Sequence, residues 1–322
     1  MFNYNNNRIV AIGDIHGDYD IFVSLLIMAK VINCNLDWIG KNTYVIQLGD
    51  TLDGKRPGIT IEKKFLDVPT EIDINCLILS LDRKARKHGG RVISLLGNHE
   101  LYPYYFYNDE SFNKDYVKSS DIREYKDLYK TSRFRYYKPG VGDGAKLYGK
   151  TRPLIIQLGK FIFSHGSIST KFLDKCLKHG YKKSQNPKII DLYKVNKAMS
   201  DWMIGNTKKP PFFVEDDDTI NPLFNRDLTN PRTLNEKQCK EIVDPIFKYL
   251  QDANYLVMGH SLHKNINTLC NDHVYRTDIG ISRAFGKSYQ ENMKRLQVLE
   301  IKQYKTAIKT NIITPEGKIK II

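Results

Sequence analysis

The chain has 322 residues, a formal net charge of +14 and 41% hydrophobic residues. It contains no stretch of about eighteen uncharged apolar residues, which argues against a membrane span, and its length suffices for one large core or two small ones. The five cysteines (Cys34, Cys76, Cys176, Cys239 and Cys270) are odd in number, widely spaced and without a CxxC pair. That pattern suggests neither a disulfide framework nor a thiolate zinc site, and it fits a reduced, cytoplasmic setting. No secretion leader is read in MFNYNNNRIV, where no basic stretch precedes an apolar one. A basic surface attracts nucleic acid, anionic membrane or phosphorylated substrates. Here the lysines are scattered without a run of five like charges, and Lys, Asn, Ile and Tyr are all abundant, as AT-rich coding gives. Charge alone therefore selects no partner.

Taken in order, Ile9-Val10-Ala11-Ile12 is an apolar run that reads as a strand buried on both faces. It ends in Gly13-Asp14-Ile15-His16-Gly17-Asp18, after which Ile21, Phe22, Leu25, Leu26 and Ala29 recur at helical spacing. If the backbone stays extended, Asp14 and His16 leave it on the same side, a carboxylate and an imidazole placed as metal ligands. The pattern repeats. Tyr44-Val45-Ile46-Gln47-Leu48 closes in Gly49-Asp50-Thr51-Leu52-Asp53-Gly54, and a helix is predicted from about Ile74 to Lys87, stopped by Gly89-Gly90. A third run, Arg91–Leu96, leads into Gly97-Asn98-His99-Glu100. Three successive βα units, each presenting Gly and ligand-type residues at a strand's carboxyl end, place those residues on one rim of a sheet.

Residues 101–150 are rich in tyrosine, mixed with Arg133, Arg135 and Lys138, and are read as a partly helical insertion or cap overhanging the rim. Its aromatics and cations could stack on bases or on a phosphotyrosine ring, but the spacing matches no nucleic-acid module, and a cap packed by its own tyrosines is expected. Leu154–Leu158 and Phe161–Phe163 flank Gly159-Lys160 as a hairpin, ending in Ser164-His165-Gly166-Ser167. A helix is predicted from about Pro187 to Ile204, and Glu215-Asp216-Asp217-Asp218 reads as a solvated turn. Another helix, from about Glu236 to Leu250, precedes the strand Tyr255–Met258, which closes in Gly259-His260-Ser261. Short strands are expected at Val274–Arg276, Asp278–Ser282 and Leu296–Ile301.

Collected from the strand ends, Asp14, His16, Asp50, Asn98, His99, His165 and His260 offer oxygen and imidazole donors without thiolate. Such a set suits two borderline divalent metals, manganese foremost, with iron or zinc admitted. Two cations stay close only around a shared carboxylate and a bound hydroxide, and the sharing is assigned to Asp50. Metals so paired activate water near neutral pH and clamp phosphate oxygens during in-line attack.

The ordered motifs GDIHG at 13–17, GDTLDG at 49–54, GNHE at 97–100, HG at 165–166 and GH at 259–260 resemble those of the phosphoprotein phosphatase branch of the calcineurin-like metallophosphoesterases. Pro222-Leu223-Phe224-Asn225-Arg226 and Asp278-Ile279-Gly280-Ile281-Ser282 look like those of the Shewanella-like phosphatases. The resemblance implies an α/β fold, a two-sheet β-sandwich flanked by helices, as one domain over 1–322. It also implies that Asp14 and His16 bind a first metal, Asp50 bridges, and Asn98, His165 and His260 bind a second. His99 would then protonate the leaving oxygen, Asp53 would orient His99, and Glu100 would support them.

The chain departs from the pattern at Gly54, where the family carries an arginine that clamps phosphate. Lys55, Arg56 and Arg226 are the replacement cations, and bidentate recognition favours the guanidinium groups of Arg56 and Arg226. A second departure is Ser167, where another glycine is common. The expected activity is hydrolysis of phosphomonoesters on phosphoproteins or small phosphoesters, with nucleic acid and membrane not expected as partners. Rival readings are a nucleotide or dinucleoside-polyphosphate hydrolase, a nuclease, and a silent binding module that keeps metals as structure.

Overall fold

A computed structural model describes residues 8–304 and 307–321. Residues 1–7, which carry most of the leader reading, lie outside them. In chain order the strands are β1 (Arg8–Ile12), β2 (Tyr44–Gln47), β3 (Arg91–Ser94), β4 (Ile155–Leu158), β5 (Phe161–Ser164), β6 (Tyr255–Met258), β7 (Asn267–Leu269), β8 (Val274–Arg276), β9 (Val298–Gln303), β10 (Ile308–Thr314) and β11 (Gly317–Lys320). They form two mixed sheets, ordered β11-β10-β9-β1-β2-β3 and β4-β5-β6-β8-β7. Within the first, β1, β2 and β3 run parallel; within the second, β5, β6 and β8 do. Parallel strands deliver their carboxyl ends to one side, and each of these six ends in a residue of the site.

Alternation along the strands explains why the second sheet is buried on both faces. Ile156, Leu158, Phe161, Phe163, Val257 and Tyr275 pack with the first sheet and the helix Tyr19–Met28. Their neighbours Ile155, Ile162, Leu256, Met258 and Val274 belong to a second core, shared with Phe172, Trp202, Phe213 and the buried tyrosines Tyr125, Tyr137 and Tyr148. The expected architecture, a two-sheet α/β sandwich with helices outside, is what the chain adopts.

A helix follows β3 directly, Asn98–Tyr105 with Gly97 at its N-cap, as the third βα unit requires. Several boundaries differ from expectation for identifiable reasons. The helix expected from Pro187 begins at Leu192, where the Asp191 side chain accepts from Tyr193 N at 3.1 Å and caps it. The helix expected over 236–250 breaks into Glu236–Ile242 and Asp244–Tyr249, because Pro245 lacks an N–H and its ring crowds the preceding turn. Asp278–Ser282 is a loop rather than a strand. The cysteine reading is corrected: Cys239 and Cys270 form a disulfide with their Cα atoms 5.4 Å apart. Spacing gave no sign of it because the pair joins a helix to the β7–β8 turn, 31 residues on. No helix among the described residues is long and apolar enough to cross a membrane.

Candidate active site

Asp14 and His16 follow β1, Asp50 and Asp53 follow β2, Asn98, His99 and Glu100 follow β3, His165 follows β5, and His260 follows β6. All are buried. Asp50, Asp53, His16 and His260 have φ values of 54°, 66°, 36° and 73°, a left-handed conformation that side-chain-bearing residues seldom adopt. His16 is therefore not reached by an extended chain; the turn itself swings its ring back, bringing Nε2 to 3.9 Å from Asp14 Oδ2 and 3.8 Å from Asp50 Oδ2. The strand-end glycines are explained by close approach. A Cβ at Gly97 would run into the Asp50 carboxylate, and one at Gly259 would run into that of Asp14.

The donors converge on Asp50. His99 Nε2 lies 3.8 Å from its Oδ2 and His165 Nε2 lies 3.4 Å from its Oδ1. Two compact groups could each hold a cation, His16 with Asp50 and His99, and Asp50 with His165 and His260. Whether the residues fit a metal is tested by His165. Its Nδ1 faces Leu48 O at 2.8 Å, and its Nε2 faces Asn98 Oδ1 at 2.8 Å. Burial pushes this imidazole down to about 4, so it is neutral and carries one N–H for two oxygen neighbours. With Nδ1–H donating to Leu48 O, the Nε2 lone pair opposes two oxygens, an arrangement that a cation resolves. His16 is turned the same way, Nδ1 toward Leu52 O at 3.2 Å and Nε2 inward.

The carboxylates give a second test. Asp14 and Asp50 are held well above the ordinary range by burial first, then by neighbouring carboxylates, Asp278 and Asp50 for Asp14 and Glu100 for Asp50. Asp278, at the end of β8, hydrogen-bonds Asp14, and burial pushes it up to about 6. Asp14, Asp50 and Asp278 make no ion pair with Lys or Arg among the described residues. Three buried carboxylates without a protein cation fit an external one.

Behind His99 the arrangement is the opposite. Its Nδ1 lies 2.7 Å from Asp53 Oδ2, and Arg133 donates to Asp53 Oδ1 at 2.7 Å and to Glu71 at 2.7 and 2.9 Å. The chain of contacts continues from Glu71 to Tyr125 OH, then to Tyr137 OH, Tyr148 OH and Asn75. Arg152 links Asn75 to Thr51 and Glu100. Glu100 closes the circuit, accepting from Gly97 N at 2.7 Å and from Asp50 N and Thr51 N at 2.8 Å each. The tyrosines of 101–150 thus divide: Tyr125, Tyr137 and Tyr148 are buried in this network, whereas the Tyr102 ring stands 4.3 Å from that of His99.

Glu71 and Arg152 were not singled out in the sequence, Arg133 was read only as a cation that could stack on a ligand, and Asp278 only as part of a motif without a role at the site. Asp278 carried a partial local signal, an aspartate just past the carboxyl end of β8 as Asp14 and Asp50 are past those of β1 and β2, but with Thr277 in place of the preceding glycine.

At the rim, Arg56 spans the Phe285 and Tyr116 rings at 4.8 and 5.8 Å and donates to Asp53 O at 2.9 Å. Arg226 is exposed and donates to His260 O at 2.7 Å and Ser261 Oγ at 2.8 Å. Burial holds His99 well below the usual imidazole range, and Arg56 and then other cations, Arg226 among them, lower it further, so both guanidinium groups bear on His99. Lys55 instead reaches out to Lys114 O. Gly54 has a steric reason: a Cβ there would lie 3.1 Å from Cε of Lys118, whose fully buried stem crosses it.

This fold, with carboxylates and imidazoles gathered at the carboxyl ends of two sheets, defines a metallophosphoesterase, a hydrolase of phosphoester bonds. A family profile described as calcineurin-like phosphoesterase matches residues 7–264, and the chain belongs to that family. It is similar to Shewanella-like protein phosphatase 1 of Plasmodium berghei, 26% identical over 90% of this chain and 72% of the relative. It is also similar to Shewanella-like protein phosphatase 2 of Arabidopsis thaliana, 23% identical over 92% and 75%. A solved cold-active protein-tyrosine phosphatase of a psychrophilic Shewanella species shares the fold, with TM-score 0.68 and 20% identity over 98% of this chain and 80% of that one.

Proposed function

We propose that the protein is a dinuclear metal-dependent phosphatase that hydrolyses phosphomonoesters on phosphoproteins, at serine, threonine or tyrosine. Asp50 carries the reading: its two oxygens face different imidazoles, His16 and His99 on one side and His165 on the other, as a shared ligand requires. Asp14 and His16 would hold one cation, and Asn98, His165 and His260 the other. When bound, two such cations (manganese, iron or zinc) supply Lewis-acid polarisation of the phosphate and lower the pKa of the attacking water. The kinship with protein phosphatases supports a phosphoprotein as substrate.

The remaining work falls to the chain's own groups. Arg56 and Arg226 flank the opening and supply guanidinium donors to phosphate oxygens. His99, fixed at Nδ1 by Asp53, turns Nε2 toward the centre and protonates the leaving oxygen. Burial and the guanidinium charges hold its pKa down, and a phosphate dianion set among those charges counters them and favours the imidazolium. The test is purified protein with its metals assayed, set against matched phosphopeptides and a dinucleoside polyphosphate. Phosphate release from peptides, abolished by a chelator and restored by manganese, is expected; turnover of the dinucleoside polyphosphate alone would overturn the reading.

A further inference from the structure

Beside the site lies a groove with a cavity volume of about 340 Å³, walled by Tyr102, Tyr105, Phe106 and Phe224 and edged by Glu215 and Asp218. It is continuous with the reaction centre on two walls. Tyr102 lies against His99 with ring centroids 4.3 Å apart and the planes tilted by 51°, and Phe224, whose ring is 6.0 Å from that of Tyr102, accepts a hydrogen bond from His260 Nε2 through its carbonyl at 3.0 Å. Tyr105 and Phe224 meet edge to face at 5.5 Å and close the inner end.

The groove's charge contrasts with the rest of the chain. Glu215 and Asp218 are exposed and make no ion pair among the described residues, whereas their neighbour Asp216 is held by Lys175 at 2.5 Å and Asp217 caps Thr219 N at 2.8 Å. Both free carboxylates bear on the groove: Tyr105, held above the usual phenol range chiefly by burial, is raised further by Asp218 and Glu215. An aromatic wall below two unpaired carboxylates, in a chain of net charge +14, is a cage for a cation.

We propose that this groove binds a lysine or arginine side chain of the substrate protein, one or two residues from the phosphorylated side chain. The inference rests on the phosphoprotein reading above. An extended peptide advances roughly 3.3–3.6 Å per residue, so a neighbour of the phosphoresidue reaches the far side of Tyr102. The aromatic rings take the long alkyl stem, and the carboxylates meet the charged head at the mouth.

The test uses peptides with one phosphorylated residue and, at each position from three before to three after it, Lys, Leu or Glu. At the groove position kcat/KM for Lys is expected to exceed that for Glu by about tenfold, with a smaller margin over Leu, and to fall with added salt as a partly exposed charge contact does. In the double variant Glu215→Lys/Asp218→Lys the Lys-to-Glu ratio should invert; as a ratio within one enzyme, it cancels any general loss. Equal rates for all three peptides, or a preference for Leu over Lys, would overturn the groove. No release from any phosphopeptide, with a small aryl phosphate still turned over, would overturn the phosphoprotein reading and the groove with it.

Discussion

Asp50 and Asp53 lie in the same loop, both buried and both in left-handed backbone, yet their surroundings are opposites. Around Asp50 the neighbours are Asp14, His16, His99 and His165, and the one fixed positive charge that bears on it, Arg56, makes no ion pair with it among the described residues. Around Asp53 the charge is settled internally, since Arg133 bridges it to Glu71 as Arg152 bridges Glu100 to Asn75. One side of His99 is left electrostatically incomplete and the other is closed. A site built so can change its ligand on one side while the other holds its geometry, which is what a metal centre beside a fixed proton donor needs.

The largest effect should come from breaking the incomplete side. Asp50→Asn is expected to lose metal and activity together, by more than the about 10–100-fold that loss of an outer hydrogen-bond partner costs. The same change should raise the melting temperature of metal-stripped protein, because it removes a buried carboxylate with no cation beside it while an amide oxygen still accepts from His99 N. A stripped variant less stable than stripped wild type would show that Asp50 is balanced from within. His99→Asn comes next: metal content intact, kcat down by about 10²–10⁴. The loss should be smaller for a p-nitrophenyl ester, whose leaving group needs no proton, than for an alkyl ester. Equal losses on both esters would remove His99 from the proton-transfer step.

The contrast also marks what the chain discloses in advance. The incomplete side was readable because Asp14, Asp50, Asn98 and His260 each follow a glycine at the end of an apolar run and His165 precedes one, and two of those glycines have a local reason: the carboxylates of Asp50 and Asp14 pass over Gly97 and Gly259. The closed side was not. Arg133 stands 80 residues from Asp53 and 62 from Glu71, in a stretch whose tyrosines and cations suggested stacking on a ligand, and no periodicity records a pairing made only in three dimensions. The Cys239–Cys270 link escaped for the same reason. Gly54 is intermediate: its departure from the family was visible, but the buried Lys118 stem that accounts for it was not.

Breaking the closed side should show mainly in stability. Arg133→Met leaves the buried carboxylates of Asp53 and Glu71 without their guanidinium, at a cost of about 3–5 kcal/mol. Its kcat should fall about 10–100-fold, with metal content unchanged and the alkyl ester affected more than the aryl one, since Asp53 still faces His99 but is no longer held. Arg133→Lys should recover part of the stability, having the charge without the planar fork. Loss of metal in Arg133→Met would mean that the two sides are not separable.

The smallest effect lies at the edge of the closed side. Glu124 is half-buried with Oε2 unpaired, and burial first, then Asp121, Asp73 and Glu71, push its pKa up to about 7. An acid whose folded pKa stands above its unfolded value, about 4.5, takes up its proton more readily when folded. Its contribution is therefore intact below pH 4.5 and is lost as pH rises through 7. Glu124→Gln should leave the melting temperature nearly unchanged at pH 4 and raise it by a few degrees at pH 8, with the gap opening between those limits. A gap that is the same at both pH values would place the effect in packing rather than in the excess of carboxylates around Arg133 and Lys118.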